Sequence, residues 1–222
     1  MQEFVIIVAG GKGTRMKSEV PKQFLSINGT PVLMHTILAF RMYSADIHII
    51  LVLPEDQFDF WKQLCNEHAF DVNYSLVKGG ETRFHSVKNG LESIKVKEGI
   101  VAVHDGVRPI IDKEIIRNGF LAAEEYGTAV TCVHLKDSIR FAGQNGSNKA
   151  MERADFRLIQ TPQMFRMKWM RQAFAVDYNT GFTDCASVLE AAGYSIHLIG
   201  GAYENIKITT PEDLIWAEIL LK

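Results

Sequence analysis

Short apolar runs alternate with segments of helical periodicity along most of the chain, and this alternation limits the fold more than any other feature of the sequence. Residues 4–8 (FVIIV), 48–53 (HIILVL) and 100–103 (IVAV) have the continuous apolar character of strands buried on both faces. Residues 55–68 place their large apolar side chains at helical spacing, as a helix covering a sheet does. The pattern predicts an α/β fold, a Rossmann-like three-layer sandwich with a mostly parallel sheet, formed as one domain over residues 1–222.

Capping residues and apolar spacing predict the later elements. Asp112 and Gly127 bracket one helix, with Asp at its start and Gly in the left-handed position after its end. The further predicted elements are helices over 167–177 and 184–192, a strand over 195–199 and a final helix that begins at Pro211.

Residues from about 136 to 157 interrupt this rhythm with polar side chains and a cluster of glycine, asparagine and serine. Asn145-Gly146 is a strong signal for a hairpin turn. We expect residues 138–141 and the segment before Arg153 to form a β-arm that projects from the sheet. An arm with few apolar contacts of its own packs on another surface, so we expect a homodimer.

The charge balance and the cysteine count exclude several classes of function. The chain has 24 Lys+Arg, 26 Asp+Glu and a formal net charge of -2, so no positive field is available to hold a nucleic-acid backbone. No run approaches the roughly 18 apolar residues of a membrane span, and the first residues lack the basic segment of a secretory signal, which predicts a cytoplasmic protein. Three scattered cysteines and seven histidines without ligand spacing favour neither a disulfide framework nor a zinc site.

A glycine-rich loop with basic side chains follows the first predicted strand. Residues 8–16 read VAGGKGTRM and residues 21–25 read PKQFL. Glycines let backbone N–H groups approach an anion, and Lys12, Arg15 and Lys22 add positive charge, which is the chemistry of a phosphate-binding loop. The spacing matches neither a Walker A loop nor a dinucleotide fingerprint. Taken alone, the segment is explained equally well as an ordinary strand-to-helix turn with solvated basic residues.

The loop belongs to a longer series of motifs. The order G-G-x-G-x-R-M, then P-K-Q-F-L, resembles the signature of sugar-phosphate nucleotidylyltransferases. The later motifs, in chain order, are G-G-E-T-R-F-H-S-V (79–87), V-H-D-G-V-R-P (103–109), D-S (137–138), Arg153, T-P-Q (161–163), T-D (183–184) and N-I-K-I-T (205–209). From Ala9 to Leu214 the series is similar to the 2-C-methyl-D-erythritol 4-phosphate cytidylyltransferase family.

The resemblance implies an enzyme that transfers the cytidylyl group of CTP to 2-C-methyl-D-erythritol 4-phosphate, with release of pyrophosphate, in the non-mevalonate isoprenoid pathway. The attacking phosphate oxygen is already an anion, so the reaction needs no general base. The obstacle is repulsion between two polyanions, which fixed cations and a divalent metal relieve. Magnesium is the expected cofactor because it accompanies triphosphates.

The family pattern implies that four cations act in catalysis. Arg15 and Lys22 would hold the triphosphate and stabilise the charge that develops on the α-phosphate. Arg153 and Lys207 would bind the phosphate of the second substrate and aim its oxygen. Asp105, at the end of a predicted strand, would lie beside both substrates and the metal. The other substrate-binding residues that the family implies are Arg108, Ser138, Thr161 and Thr183.

The resemblance also implies a nucleotide-binding set and an exchanged arm. The residues on the nucleotide side are Ala9, Gly10, Gly11, Lys12, Gly13, Thr14, Gly80, Glu81, Ser86, Asp105 and Gly106. In the family the arm crosses to the neighbouring subunit, so Ser138, Arg153 and Thr161 would serve the partner's site. Four places depart from the usual family pattern: Glu81 stands for Asp, Ser138 for Thr, Cys185 for a frequent Glu, and Gly106-Val107 for two alanines. None of these changes removes a proposed cation.

Two other functions stay open on sequence grounds. A cytidylyltransferase that acts on D-ribitol 5-phosphate would share the phosphate-binding loop, although residues 79–87, 136–140 and 182–187 are closer to the methylerythritol pattern. A non-catalytic nucleotide-binding module would need only the cation pair Arg15 and Lys22, and not Arg153 and Lys207.

Single motifs also have purely structural explanations. Asp105 could cap a turn, and Thr183-Asp184 could cap a helix. Lys207 lies between two isoleucines in what is predicted to be an alternating strand, where an exposed lysine is ordinary. His104 is expected to be a packing residue rather than a general base.

Overall fold

A seven-stranded sheet runs through the middle of the computed structural model, which describes residues 1–11, 16, 18 and 20–222. The described strands, including those of two small hairpin sheets, are β1 (Glu3–Val8), β2 (Ser26–Ile27), β3 (Thr30–Pro31), β4 (His48–Leu53), β5 (Ser75–Lys78), β6 (Ile100–Asp105), β7 (Thr128–His134), β8 (Ile139–Ala142), β9 (Asn148–Met151), β10 (Arg157–Arg166) and β11 (Leu198–Gly200). The order across the large sheet is β11-β7-β10-β6-β1-β4-β5. Its neighbouring strands are parallel except around β10, which runs antiparallel to β6 and β7.

Helices cover both faces of this sheet. The described α-helices are α1 (Val32–Tyr43), α2 (Phe58–Glu67), α3 (Arg83–Ser93), α4 (Lys113–Tyr126), α5 (Met167–Ala173), α6 (Cys185–Ala191) and α7 (Pro211–Leu220). Alternate residues of β1 point to opposite faces: Val5 and Ile7 pack in the cluster with α1, α2 and α4, while Phe4 and Ile6 pack with α3, α5 and α6. The predicted three-layer α/β fold is confirmed. None of the helices in the described part of the chain has the length and apolar character needed to cross a bilayer.

The strand register brings three carboxyl ends to one edge of the sheet. Val8, the last residue of β1, lies opposite Val52 of β4 and Asp105 of β6. In open α/β sheets, ligands bind in the crevice beyond the carboxyl ends of the strands. The loops that follow these strands therefore share the space where a site is expected.

Helix ends follow the predicted capping residues. The Asp112 side chain accepts a hydrogen bond from the N–H of Glu114 at the start of α4, and Gly127 ends that helix with a φ of 87°. Asp184 forms a capping box with Ser187 at the start of α6. The capping residues therefore set where α4 and α6 begin and where α4 ends.

A two-stranded antiparallel hairpin, β8 and β9, lies where the arm is predicted. Ile139 pairs with Met151, and Gly146 takes the positive φ of the turn, 80°. In the described chain these two strands form a sheet of their own, and the Phe141 side chain is 62% exposed. The hairpin therefore presents open strand edges and an exposed aromatic side chain.

Two predicted elements differ in length. The helix predicted over 167–177 ends at Ala173, because Phe174 turns into the core and is buried there. The strand predicted over 195–199 begins only at Leu198, because the Thr128 hydroxyl donates to the Ser195 carbonyl and accepts from the N–H of His197. A side chain thus takes the place of a strand ladder.

The strand predicted around Lys207 is wrong. Its backbone is irregular, because Ile208 N–H donates to the carbonyl of Val107, which lies in the loop after β6. Ile208 is fully buried beside Val107 and α7, while Ile206 is only partly buried. The apolar alternation reflects the packing of a loop.

Candidate active site

The loops that follow β1, β5 and β6 enclose a cavity of about 230 Å³ at the carboxyl edge. Ala9 N–H donates to the Val52 carbonyl at 3.0 Å, and Gly106 N–H donates to the Val8 carbonyl at 2.9 Å, which holds two of these loops against the sheet. The cavity is lined by Val8, Ala9, Gly10, Gly11, Lys22, Gln23, Gly80, Glu81, Thr82, Arg83, Ser86, Asp105, Val107 and Lys207. Five of the motifs found in the sequence therefore meet at one place.

Asp105, the last residue of β6, is buried at this cavity among three basic side chains. Arg83 Nε lies 3.6 Å from Oδ1, while Arg108 Nε and Lys207 Nζ lie 3.4 and 2.9 Å from Oδ2. Burial by itself raises the pKa of Asp105, but the charges of Arg83, Lys207 and Arg108 outweigh it and hold the pKa well below its ordinary value. The carboxylate is ionised at neutral pH and offsets part of the surrounding positive charge.

The segment that carries Lys207 is anchored on both sides. Asn205 is fully buried, and its carbonyl accepts a hydrogen bond from Arg108 Nη1 at 2.7 Å. On the other side, Ile208 is buried and bonded to Val107 through the backbone, at 2.9 Å. The Lys207 side chain is 42% exposed and reaches into the cavity from this fixed segment. A fixed backbone limits the positions open to its ammonium group.

Thr161 and Arg108 support the site from behind the cavity. The Thr161 hydroxyl accepts a hydrogen bond from Asp105 N–H at 3.0 Å, and the Thr161 carbonyl accepts one from Asn205 Nδ2 at 2.8 Å. Arg108 joins the Asp105 carboxylate to the Asn205 carbonyl, and its side chain is only 11% exposed. Sequence reasoning assigned both residues to the second substrate; the structure places them against residues that line the cavity.

Lys22 approaches the same segment from the nucleotide side. It begins a short 3-10 turn, is 9% exposed, and donates from Nζ to the Ile208 carbonyl at 3.0 Å. Because Ile208 follows Lys207, the two lysines that the family pattern gives to different substrates lie beside one short stretch of backbone.

The loop from Gly79 to Ser86 forms the opposite wall. Ser86 Oγ accepts a hydrogen bond from Gly80 N–H at 3.1 Å, and a Cβ atom at Gly80 would collide with His85. Position 80 therefore requires glycine, because the backbone passes too close to His85 for a side chain. Gly106 does not line the cavity: a Cβ there would lie 2.7 Å from the Cβ of Ala9, so its role in the structure is close packing of two loops.

The remaining predicted residues lie apart from the cavity or outside the description. Lys12, Gly13, Thr14 and Arg15 fall outside the described residues. Ser138 and Arg153 line a separate groove on the hairpin, where Arg153 Nη1 donates to the Lys136 carbonyl at 2.8 Å. Thr183 lies in a small recess that Arg83 also lines, and its N–H donates to Ser187 Oγ at 3.1 Å.

Sequence reasoning missed three residues that organise the site. Arg83 lies within the motif of residues 79–87, which by itself indicates no role for it, although Arg83 pairs with Asp105. Gln163 accepts hydrogen bonds from the N–H groups of Cys185 and Ala186 and thereby fixes the start of α6. Asn205 anchors the Lys207 segment, as described above. Their presence inside the motifs was the available signal; their contacts join elements distant in sequence.

The residues around Asp105 fit a magnesium ion that arrives with a nucleotide. In residues 1–11, 16, 18 and 20–222 there is no group of three or more His, Cys, Asp or Glu side chains able to hold a metal by themselves. Mg²⁺ characteristically keeps waters and binds through one or two carboxylates plus substrate phosphates, so a single carboxylate suits it. Asp105 is the candidate carboxylate, although three cations share it in the structure.

Comparison with known proteins identifies the family of the chain. The model of the family described as IspD, 2-C-methyl-D-erythritol 4-phosphate cytidylyltransferase, matches residues 4–222. A protein of that name from Bacteroides thetaiotaomicron is 51% identical over 221 residues, which covers 100% of both chains.

Solved structures show the same architecture. The 4-diphosphocytidyl-2C-methyl-D-erythritol synthase of Anaerococcus prevotii matches with a TM-score of 0.84 and 28% identity, covering 99% of this chain and 96% of the other. The 2-C-methyl-D-erythritol 4-phosphate cytidylyltransferase of Francisella tularensis matches with a TM-score of 0.82 and 28% identity, covering 99% and 100%. The likeness extends over essentially whole chains rather than over one motif.

Proposed function

The chain belongs to the 2-C-methyl-D-erythritol 4-phosphate cytidylyltransferase family, and we propose that the cavity around Asp105 is where its two substrates meet. The chain is a nucleotidyltransferase that transfers the cytidylyl group of CTP to 2-C-methyl-D-erythritol 4-phosphate in isoprenoid precursor biosynthesis. The products are 4-diphosphocytidyl-2-C-methyl-D-erythritol and pyrophosphate. The observation that carries the proposal for the site is the gathering of cations on a single buried carboxylate beside a glycine-rich loop.

The charges at the cavity suit the reaction. Lys22, Arg83 and Lys207 line the cavity, and Arg108 lies behind it, 3.4 Å from Asp105. Two carboxylates, those of Asp105 and Glu81, line the same cavity. This excess of positive charge attracts a triphosphate and a second phosphate, whose mutual repulsion is the main barrier to their reaction. Fixed cations need no reorganisation when charge develops on the α-phosphate.

We assign the triphosphate to Lys22 and Arg15 and the second phosphate to Lys207. Lys22 donates to the carbonyl of Ile208, the residue after Lys207, and both lysines line the same cavity, so phosphates bound to each would be neighbours. The nucleophile is a phosphate oxygen that carries its own negative charge, and no side chain has to remove a proton. Lys207 would orient this oxygen toward the α-phosphorus, in line with the departing pyrophosphate.

The backbone of the glycine loops would hold the cytidine. Ala9, Gly10 and Gly11 form one wall of the cavity, and Gly80, Glu81 and Ser86 form the other. Glycines expose N–H and carbonyl groups to which a small pyrimidine and its ribose can bind. Arg108, Thr161 and Thr183 would complete the pocket for the polyol, and Arg108 and Thr161 would also hold Asp105 in place.

Magnesium is the proposed cofactor. Asp105 would hold it together with the phosphates of CTP, and the ion would neutralise charge on the phosphoryl oxygens. Lys207 and Arg108 share Oδ2 of Asp105, so they would keep this carboxylate ionised and ready for the ion.

A homodimer with exchanged arms is the proposed assembly. Arg153 and Ser138 lie on the exposed hairpin, in a groove separate from the cavity. Packed against a second copy, the hairpin would carry these side chains to the partner's cavity. A cytoplasmic location is part of the proposal, because both substrates are charged phosphates that do not cross a bilayer unaided.

Pyrophosphate release tests the function directly. The purified chain is incubated with CTP and Mg²⁺, with 2-C-methyl-D-erythritol 4-phosphate in one reaction and D-ribitol 5-phosphate in another. We expect release with the first substrate alone. Release with the second alone would point to wall-polymer synthesis, and CTP binding without release in either reaction would point to a non-catalytic module.

A further inference from the structure

Arg83 is the cation at Asp105 to which the motifs gave no role. It is the first residue of α3 and follows Thr82, whose hydroxyl caps the helix by accepting a hydrogen bond from His85 N–H. Its side chain is 30% exposed and lines both the main cavity and the recess beside Thr183. Arg83 therefore connects the nucleotide loop with the region proposed for the second substrate.

Arg83 holds a different oxygen of Asp105 from the other two cations. Its Nε lies 3.6 Å from Oδ1, while Lys207 and Arg108 approach Oδ2. The terminal torsion of an aspartate side chain is broad, so contacts on one oxygen leave the carboxylate plane free to turn. Contacts on both oxygens fix that plane and, with it, the direction in which Oδ2 points.

The guanidinium of Arg83 has a second, rigid anchor. Its Nη1 lies 3.3 Å from Sγ of Cys185, which is fully buried at the start of α6. Gln163 accepts hydrogen bonds from the N–H groups of Cys185 and Ala186 at 3.1 and 3.2 Å, so the thiol cannot shift easily. Burial raises the pKa of the Cys185 thiol, which leaves it neutral at pH 7. The positive charge of Arg83 is then directed at Asp105.

We propose that Arg83 is a positioning residue for Lys207. By fixing Asp105 through Oδ1, it aims Oδ2 at the Lys207 ammonium and so determines where that ammonium meets the phosphate of the methylerythritol substrate. The inference rests on the function proposed above for Lys207. It also predicts which kinetic parameter changes. Although Arg83 belongs to the nucleotide loop in sequence, its substitution should affect kcat/KM for the polyol phosphate rather than the affinity for CTP.

Double-variant kinetics test this chain of contacts. We compare wild type, Arg83→Gln, Lys207→Ala and the double variant, and measure kcat, both Michaelis constants and the dissociation constant of CTP. Arg83→Gln should lower kcat/KM for the polyol phosphate by roughly 10- to 100-fold, as the loss of a charge-assisted contact does, and change CTP affinity by less than about twofold. In the Lys207→Ala background, the same substitution should have an effect below about threefold, because the residue through which it acts is gone.

Matched variants separate positioning from folding. Arg171 is a partly buried arginine on the same face of the sheet that donates to the Ile94 carbonyl, and Arg171→Gln should leave all kinetic constants near wild type. Arg83→Lys should recover part of the loss, since a lysine can reach one anchor but not both. Cys185→Ala should also lower kcat/KM for the polyol phosphate, by a smaller factor than Arg83→Gln does. If thermal unfolding shows that Arg83→Gln is not folded, the last two variants carry the test.

Two results would overturn the inference. The first is a double variant whose loss of kcat/KM for the polyol phosphate equals the product of the two single losses. That result would mean that Arg83 acts independently of Lys207. A loss of CTP affinity as large as the loss for the polyol phosphate would mean that Arg83 binds the nucleotide itself. Failure of the proposed function looks different, because wild type itself would then release no pyrophosphate.

Discussion

If the β8–β9 hairpin of each chain serves the active site of the neighbouring subunit, a mixed dimer of two inactive variants should be active. Lys22→Ala removes a cation from the cavity itself, and Arg153→Ala removes one from the hairpin. In the described structure Arg153 bonds to the Lys136 carbonyl and lines a groove of its own, not the cavity of its own chain. Each substitution alone should lower turnover by roughly two orders of magnitude, as loss of a preorganised charge does.

The expected recovery follows from counting sites. In a mixed dimer with exchanged arms, one site combines the intact Lys22 of one chain with the intact Arg153 of the other, while the second site lacks both. Random exchange makes about half of the dimers mixed, so about a quarter of all sites should be active. Mixed dimers purified through two different affinity tags should reach about half of the wild-type rate per dimer.

The assay is pyrophosphate release at saturating CTP and polyol phosphate, after coexpression of the two tagged chains. Lys22→Ala mixed with Lys207→Ala is the matched control, because both lysines line the same cavity and no site in that dimer keeps both. This control should stay inactive. An inactive mixed dimer of Lys22→Ala and Arg153→Ala would refute arm exchange, and so would a monomeric mass for the wild-type protein by light scattering.

Three further results are expected. Lys22→Ala and Arg15→Ala should each lower turnover by about two orders of magnitude or more in the same assay, and a near-wild-type rate would remove that residue from catalysis. Arg153→Ala should raise the apparent KM for the polyol phosphate more than that for CTP; equal increases would separate the arm from the second phosphate. Burial lowers the pKa of His104 to about 4 from 6.5, so the folded state binds a proton less readily than the unfolded chain does. The contribution of His104 to the free energy of unfolding is then complete above pH 6.5 and falls as the pH drops toward 4. The difference in free energy of unfolding between wild type and His104→Gln, measured in urea, should therefore shrink by about 2 kcal/mol between pH 7 and pH 5. An advantage that is independent of pH would contradict the neutral state of His104.

The predictions that succeeded depend on local signals. The apolar runs of β1, β4 and β6, the caps at Asp112 and Asp184 and the glycine after α4 each follow from residues close in sequence. Asp105 could be placed at a strand end for the same reason, since β6 ends where the apolar run stops. Local chemistry decides these features, and tertiary contacts do not override them.

The misses arise where distant elements meet. The alternation around Lys207 looks like a strand, yet the backbone there bonds to Val107, about a hundred residues earlier in the chain, and forms a loop. The pairing of Arg83 with Asp105 depends on how α3 lies across the end of β6, which no short segment encodes. The assignment of Thr161 to the substrate likewise could not anticipate its hydrogen bond with Asp105 N–H.

The buried carboxylate of Asp105 explains how three cations can lie close together in the absence of substrate. Lys207, Arg83 and Arg108 would repel one another strongly at low dielectric, and Asp105 offsets that repulsion through contacts of 2.9 to 3.6 Å. When substrate phosphates enter, they supply new negative charge, and the cations can then contact both Asp105 and the phosphates. The cations are therefore assembled during folding rather than during the reaction, which is the condition under which fixed charges accelerate phosphoryl transfer most. On this reasoning the aspartate acts first on the protein's own charges, and its substitution should cost both stability and turnover.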